Sequence, residues 1–141
     1  MQDLKVTLIQ TKLYWEDIDR NLEMFSSKIE GIENPGDLIL LPEAFSTGFS
    51  MMPEQLAEDQ SGKAILFLKS MAAKQNCPIA GSIFFRENEK FFNRFICAFP
   101  DEQFSYYNKR HLFSLGEEDL QFTPGKQPLI VNIKEIGRAH V

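Results

Sequence analysis

The chain of 141 residues is long enough for one domain with a buried core, and its 43% hydrophobic and 25% charged residues are typical of a globular protein. The formal net charge of −5 argues against a nucleic-acid partner, because a phosphate-binding surface needs clustered Lys and Arg. No apolar run approaches membrane-spanning length and the N-terminus has no secretory pattern, so we expect no membrane partner. Two cysteines, in no disulfide or metal-binding pattern, fit a reducing compartment and a cytoplasmic location.

The start of the chain predicts a strand followed by a helix. Residues 4–10 are rich in apolar residues that alternate loosely, which is typical of a strand. Asp17 and Asp19 are candidate caps of a helix that extends to about Ile32. The apolar residues of this helix step by four, three, four and three, as one helical face requires, and they are Ile18, Leu22, Phe25, Ile29 and Ile32.

The next segment predicts a second strand, a loop and a second helix. Residues 38–41 form a continuous apolar run, which suits a strand covered on both faces. A polar loop is expected over residues 43–60. Residues 62–75 then predict a helix, with Ser61 as its cap. The apolar face of this helix is formed by Ile65, Leu68 and Ala72.

The remainder of the chain predicts four strands, at residues 78–85, 91–99, 104–108 and 129–133. The polar residues 87–89 predict a hairpin turn between the first two of them. The order of elements is βαβαββββ, which indicates an α/β layered fold rather than a helix bundle or a sandwich of sheets alone.

The first candidate for chemistry is Glu43, which directly follows the apolar run that ends in Leu40-Leu41-Pro42. Ligands of open α/β sheets gather beyond the carboxyl ends of the strands, so this is the expected functional edge. A glutamate here, partly screened by Phe45 and Phe49, would suit a general base. The same pattern also fits a structural carboxylate that pairs with a surface lysine.

The second candidate is Lys109, at the end of the predicted strand 104–108. A lysine in this place can direct its ammonium at a developing oxyanion, although a solvated basic edge strand is the competing interpretation. His111 nearby is expected to be structural. The acidic run at residues 116–119 predicts a solvated loop by default.

Several short motifs lie along almost the whole chain. They are Val6-Thr7-Leu8-Ile9-Gln10, Asn21-Leu22, Gly36-Asp37-Leu38-Ile39-Leu40-Leu41-Pro42-Glu43, Phe45-Ser46-Thr47-Gly48-Phe49, Gly81-Ser82-Ile83, Phe92-Asn93-Arg94 and Tyr107-Asn108-Lys109-Arg110-His111-Leu112-Phe113. In this order they resemble the carbon–nitrogen hydrolase (nitrilase) superfamily. The segments that follow Glu43 and surround Lys109 are most similar to those of omega-amidases, which hydrolyse the terminal amide of 2-oxo-acid amides.

The resemblance implies a four-layer α-β-β-α sandwich, of which this chain supplies about the N-terminal half. It implies that Glu43 is the general base and that Lys109 stabilises the tetrahedral intermediate. Glu118 is the implied auxiliary carboxylate, with Glu117 as its rival. The resemblance implies no metal or organic cofactor, a small-molecule amide as substrate, and a homodimer when the protein is full length.

The nucleophile that the resemblance implies is a cysteine in a Cys-Tyr-Asp-Leu-Arg-type motif, after the strand that follows Lys109. Neither cysteine of the chain stands there. Cys77 lacks a cationic neighbour and Cys97 lies in a strand of aromatic and aliphatic residues, so both are expected to be inert core thiols. We therefore expect the 141-residue chain to lack amidase activity.

The segment 135–141 is similar to the translation of a common sequencing adapter, and its Gly-Arg-Ala-His continues a strand poorly. We therefore expect residues 1–134 to be the N-terminal portion of a hydrolase domain and residues 135–141 to be a non-native read-through tail. A natural polar C-terminus is the alternative.

Three other functional interpretations stay open. Another branch of the superfamily, such as a carbamoylase or a glutamine-amide hydrolase domain, would share Glu43 and Lys109. A nucleotide-binding α/β module would need a Gly-rich loop after the first strand, where this chain has Gln10-Thr11-Lys12-Leu13. The third interpretation is a non-catalytic α/β fragment.

Overall fold

The structure, a computed structural model, describes residues 3–133 and the backbone of residues 137–140. Its central element is a five-stranded sheet. The strands lie side by side in chain order, as β1 (Val6–Leu8), β2 (Leu38–Leu40), β3 (Ile79–Glu87), β4 (Lys90–Ala98) and β5 (Phe104–Asn108). Strands β1, β2 and β3 are parallel, whereas β4 runs antiparallel to both of its neighbours.

Helices connect the parallel strands, and the predicted alternation of strands and helices is confirmed. The helices are α1 (Ile18–Glu30), α2 (Pro53–Leu56), α3 (Lys63–Gln75) and α4 (Glu118–Gln121), and strands β6 (Ile130–Ile133) and β7 (Gly137–His140) form an antiparallel pair. Helices α2 and α4 and strand β7 were not predicted. Elements of four residues are too short to show a hydrophobic period.

The sheet is covered on both faces. On one face α1 and α3 pack through the predicted apolar stripes, whose central residues are at most 1% exposed: Phe25, Ile29, Ile65, Leu68 and Ala72. On the other face Val131 and Ile133 of β6 pack against Leu38, Ala80 and Cys97. The layers are therefore helices, five-stranded sheet and strand pair, which agrees with the predicted α/β fold class.

The β3–β4 hairpin brings two long strands into register at the centre of the sheet. Its turn consists of Asn88 and Glu89, both with positive φ, while Glu87 pairs with Lys90. Two consecutive residues of positive φ are the type I′ geometry, whose twist matches that of the flanking strands. The hairpin predicted at residues 87–89 is confirmed.

One predicted helix cap is confirmed and another is wrong. The Asp17 side chain accepts a hydrogen bond from the backbone N–H of Arg20 and caps α1. The N-cap of α3 is Gly62 rather than Ser61, and it supplies no side-chain bond. The missing acceptor comes from the preceding loop, because Oε1 of Glu58 accepts from the backbone N–H of the second residue of α3 at 2.9 Å.

The segment after β2 is a buried loop. Residues 44–48 are all buried, and polar backbone groups inside a protein need partners. Asn21 of α1 supplies one, because its Nδ2 donates to the carbonyl of Ser46 at 2.9 Å. The predicted polar loop therefore starts as part of the core.

The end of the chain differs from one expectation. Residues Gly137–His140, which were expected to continue a strand poorly, form β7 and pair with β6. Residues 134–136 and 141 lie outside the described residues, so the predicted boundary after residue 134 stays a prediction. Among residues 3–133 and 137–140, no helix is long and apolar enough to cross a membrane.

Candidate active site

Glu43 lies just beyond the carboxyl end of β2, where the predicted functional edge begins. The backbone turns sharply after it, because Ala44 has a φ of +48°, which residues other than glycine seldom adopt. Ser82 of β3 holds this turn, since its Oγ accepts from the Ala44 N–H at 2.8 Å and its carbonyl accepts from the Phe45 N–H at 3.1 Å. The sheet therefore fixes the backbone next to the candidate base.

Lys109 directly follows β5 and is held from two sides. Its backbone N–H donates to the carbonyl of Asn93 at 2.9 Å, and its own carbonyl accepts from the N–H of Gly125 at 2.9 Å. A Cβ at Gly125 would lie 2.0 Å from the carbonyl oxygen of Asn108, so only glycine fits there. The loop that contains Pro124 and Gly125 thus packs directly on the backbone that carries Lys109.

The buried Arg94 fixes the same end of β5. Its guanidinium lies between the rings of Phe85 and Tyr106, 3.9 and 4.0 Å from their centroids. Its Nε donates to Oδ1 of Asn108 at 2.7 Å, and Asn108 precedes Lys109. The planar guanidinium can stack on both rings and bind the amide at once, which anchors the last residue of the strand.

The three predicted site residues meet at one point. Nζ of Lys109 lies 2.8 Å from Oε1 of Glu43 and 3.0 Å from Oε2 of Glu118. One ammonium therefore bridges two carboxylates that come from opposite ends of the sequence. An ammonium has three N–H donors, so this bridge leaves one of them for a further acceptor.

Of the two candidate carboxylates, Glu118 is the one that contacts Lys109. Its side chain is fully buried, and its oxygens accept hydrogen bonds from Lys109, from the Phe113 backbone N–H at 2.7 Å and from Asn93 at 3.1 Å. The rival, Glu117, is exposed and lies at the left-handed N-cap of α4. The burial of Glu118 is tolerable because each of its oxygens has a donor.

Asn93 completes the cluster. Its Nδ2 donates to Oε1 of Glu43 at 2.8 Å and to Oε1 of Glu118 at 3.1 Å. Two donors, the ammonium of Lys109 and the amide of Asn93, therefore link the same two carboxylates into a closed ring. Such a ring restricts all four side chains.

Glu43 differs from Glu118 in its exposure. The Glu43 side chain is 48% exposed, whereas that of Glu118 is 0% exposed. The expected screening by Phe45 is wrong, because Phe45 packs in the helix-side core against Phe25, with 5.7 Å between ring centroids. Phe49 does lie on the site side, with its ring centroid 5.4 Å from Nζ of Lys109.

The electrostatics of the cluster keep Lys109 charged. Partial burial lowers the pKa of Lys109, but the hydrogen bonds and charges of Glu43 and Glu118 outweigh that effect and raise the pKa above its ordinary value. A lysine in this state is a fixed positive charge at neutral pH. It can stabilise a developing anion, and it is unsuited to act as a base.

Two hollows adjoin the cluster, and both are lined by Glu43 and Lys109. One of about 300 Å³ is mainly apolar and includes Leu40, Phe95 and Tyr107. The other, of about 520 Å³, is lined further by Phe49, His111, Leu112 and Phe113. A larger hollow of about 570 Å³ lies elsewhere, between the starts of α1 and α3, and no candidate site residue lines it. The candidate site is therefore identified by the charged cluster and not by the volume of the hollow.

Comparison with known proteins identifies the family. Residues 5–137 match the family model described as Carbon-nitrogen hydrolase. The chain belongs to the carbon-nitrogen hydrolase family. The omega-amidase YafV of Escherichia coli strain K12 is 36% identical over 133 residues, which are 93% of this chain and 50% of that protein. The 2-oxoglutaramate amidase of Bacillus subtilis strain 168 is 28% identical over 125 residues, 86% of this chain and 48% of that protein.

A solved structure of the family agrees with this fold. The crystal structure of XC1258 from Xanthomonas campestris, a CN-hydrolase superfamily protein with an arsenic adduct in its active site, matches with a TM-score of 0.90 and 36% identity. The match covers 95% of this chain and 51% of that one. This chain thus spans about half the length of the relatives it matches. The predicted fold class and the resemblance to carbon–nitrogen hydrolases are confirmed.

The two cysteines of this family member are buried away from the cluster. Burial raises the pKa of Cys77 to about 11, with a contribution from the charge of Asp37. Burial also raises the pKa of Cys97 to about 12. Cys97 packs in the apolar layer beneath β6, and neither thiol lines the two hollows at the cluster. Thiols in this state are poor nucleophiles.

Two residues were noted in the sequence only as parts of motifs, without a role. They are Asn93, which belongs to the cluster, and Ser82, which holds the turn after Glu43. Asn93 interrupts the aromatic residues of β4 at a position that lines the site, and Ser82 interrupts the apolar residues of β3 in the same way. A polar side chain on a strand that is covered on both faces needs a buried hydrogen-bond partner. A polar residue within an apolar strand was therefore the sequence signal that could have indicated these two residues.

Proposed function

We propose that this chain is the N-terminal part of an amidase that hydrolyses the terminal amide of small 2-oxo-acid monoamides through a thiol nucleophile. One observation carries the proposal: the Lys109 ammonium bridges the half-exposed Glu43 and the buried Glu118. The names of the Escherichia coli and Bacillus subtilis relatives support the substrate class.

The nucleophile in this proposal is a cysteine outside the 141 residues. Cys77 and Cys97 are buried and have raised pKa values, which makes them unsuitable. We expect the reacting cysteine beyond the strand that follows Lys109, where the family resemblance implies a Cys-Tyr-Asp-Leu-Arg-type motif. The chain by itself is therefore expected to be inactive.

Glu43 would act as the base of the first half-reaction. The thiol proton moves to the Glu43 carboxylate, and a sulfur electron pair forms a bond to the amide carbon while the carbonyl electrons move onto oxygen. When that oxyanion collapses, the C–N bond breaks. The leaving nitrogen takes the proton from Glu43, so that ammonia departs and a thioester stays behind.

Lys109 would stabilise the oxyanion of this intermediate. Two of its three N–H donors bind Glu43 and Glu118, and the third is available for the substrate oxygen. A positioned donor of this kind contributes about 10²–10³ to kcat. Because Glu118 holds Lys109 from a buried position, the ammonium does not have to reorganise when the charge develops.

Water would complete the reaction. A water molecule gives a proton to Glu43 as its oxygen attacks the thioester carbon. Collapse of the second tetrahedral intermediate breaks the C–S bond, and the thiolate recovers the proton from Glu43. Glu118 takes no proton in this scheme, because both of its oxygens already accept hydrogen bonds.

The proposal extends to the protein that carries this chain. It uses no metal or organic cofactor, since an acid–base pair and a thiol suffice for amide hydrolysis. The longer protein would be a cytoplasmic homodimer. Residues 1–134 would form the first part of its hydrolase domain, with residues 135–141 as a non-native tail.

The test is to read the source gene beyond codon 134, express the longer protein and measure ammonia release. We expect an in-frame Cys-Tyr-Asp, release of ammonia from 2-oxoglutaramate, and loss of that release when the cysteine becomes alanine. Cys77→Ala in the same protein is the matched control and should keep the activity. Hydrolysis of N-carbamoyl amino acids or glutamine in place of 2-oxoglutaramate would refute the substrate class.

A further inference from the structure

Asn93 contacts every member of the cluster. Its side chain, which belongs to a residue only 2% exposed, donates to Glu43 and to Glu118, and its backbone carbonyl accepts from the N–H of Lys109. Because β4 is an inner strand of the sheet, its backbone is fixed on both sides by β3 and β5. Asn93 is therefore the rigid member against which the three charged side chains are placed.

The chemistry of the amide fixes its orientation. A carboxylate only accepts hydrogen bonds, so the group that faces two carboxylates must be the NH₂ of Asn93 and not its carbonyl oxygen. An amide NH₂ has two hydrogens, and here each carboxylate receives one. Unlike Lys109, this donor is neutral, so it tethers Glu43 without altering the charge of the cluster.

The two oxygens of Glu43 are consequently different. Oε1 accepts both from Asn93 and from Lys109, whereas among the described residues no donor binds Oε2. An oxygen that already accepts two hydrogen bonds is a weaker proton acceptor than one whose lone pairs are open. The Glu43 side chain is about half exposed, so a reactant can approach its carboxylate.

We propose that Asn93 is a positioning residue that ties Oε1 of Glu43 and so presents Oε2 as the oxygen that takes the thiol proton. This inference rests on the proposed role of Glu43 as the base. Without Asn93 only the long, flexible side chain of Lys109 would hold Oε1. The half-exposed carboxylate could then turn about its last bonds together with that ammonium, and either oxygen would face the nucleophile only part of the time. Misplacement of a reacting group lowers the rate by about 10²-fold.

The first test is kinetic, in the full-length amidase. Asn93→Ala should lower kcat by about 10²-fold with little change in KM, because the tether acts on the proton transfer and not on substrate binding. The solvent isotope effect in D₂O should rise, since proton transfer then limits the rate. Asn21→Ala is the matched control: Asn21 is equally buried and makes three hydrogen bonds, but none to the cluster. It should lose stability and keep kcat.

The second test needs no activity. Side-chain amide protons of Asn93, observed by nitrogen-correlated NMR, should exchange more slowly than those of the exposed Asn132, and Glu43→Gln should speed the exchange. If Asn93→Ala does not fold, Asn93→Ser takes its place in the kinetic test. A kcat of the Asn93 variant within a few-fold of wild type would overturn the tether. Exchange of the Asn93 amide protons at the rate of those of Asn132 would overturn it as well. An inactive wild-type enzyme with protected amide protons would instead refute the proposed function alone.

Discussion

The burial of Glu118 makes its charge a stability feature that mutation can test. Glu118→Gln keeps the shape of the side chain but replaces one oxygen by an NH₂ group. Both oxygens face donors only, namely Lys109, Asn93 and the Phe113 backbone N–H. Either orientation of the new amide therefore sets one donor against another, and the Lys109 ammonium loses one of its two counter-charges.

The expected size follows from the contacts. Breaking a buried ion pair by changing one partner costs about 3–5 kcal/mol. Lys109 is 28% exposed and keeps Glu43, so the lower end, about 3 kcal/mol in the free energy of unfolding, applies here. With a urea dependence on the order of 2 kcal/mol per molar, the midpoint of unfolding should fall by about 1.5 M.

The assay is urea unfolding of the chain followed by circular dichroism. Glu117→Gln is the matched control, because Glu117 is the adjacent residue, has the same charge and is exposed. The control should unfold within about 0.5 kcal/mol of wild type. If both variants unfold alike, the buried charge cluster is not a significant source of stability and the reasoning fails.

Three further predictions concern other contacts. Gly125→Ala should destabilise the chain and lower the amidase activity of the proposed full-length protein, because the new Cβ would meet the Asn108 carbonyl at 2.0 Å. In Gly31→Ala the nearest atom to the new Cβ is 3.4 Å away, so stability should be kept. Equal melting temperatures of the two variants would contradict the close approach. Burial raises the pKa of Glu58 above 4.5, although hydrogen bonds from the backbone oppose this effect. The folded state therefore holds the carboxyl proton of Glu58 more tightly than the unfolded state does. As a result, the free energy of unfolding falls as the pH rises through the raised pKa. Glu58→Gln should therefore gain stability at neutral pH and none at a pH well below 4.5 in thermal unfolding scans, and a gain independent of pH would be inconsistent with this origin. Lys109→Met should lower kcat by about 10²–10³ with a smaller effect on KM. Lys109→Arg should not rescue kcat, since a planar guanidinium cannot replace a compact ammonium charge. An unchanged kcat would make Lys109 a structural residue.

The long elements could be predicted from the sequence because their periods are clear. The apolar stripe of α1 and the run of β2 each identify a buried face, and both faces are buried in the structure. The first strand was predicted too long, at residues 4–10, whereas β1 spans only Val6–Leu8. The prediction included Leu4, which is apolar but lies outside the strand and is 41% exposed. Composition alone does not distinguish an edge strand from a central one.

The site was predictable only as far as its motifs extended. Glu43, Lys109 and Glu118 follow from the family resemblance, and the structure places both glutamates in contact with Lys109. Asn93 was missed because its partners come from distant parts of the chain, 50 residues before and 25 residues after it. The cap of α3 was missed because the acceptor comes from Glu58, six residues before Ala64, and not from the residue next to the helix. Such contacts depend on the tertiary structure and leave little local signal.

The most direct measurement of the central claim is the rate of ammonia release from 2-oxoglutaramate by the Glu43→Gln variant of the full-length protein. Glutamine keeps the shape of the side chain but cannot accept the thiol proton. The proposed mechanism predicts a fall in kcat of about 10²–10⁴ with an unchanged unfolding midpoint. A variant that releases ammonia within a few-fold of the wild-type rate would show that Glu43 is not the base, and would contradict the assignment of this cluster as the amidase site.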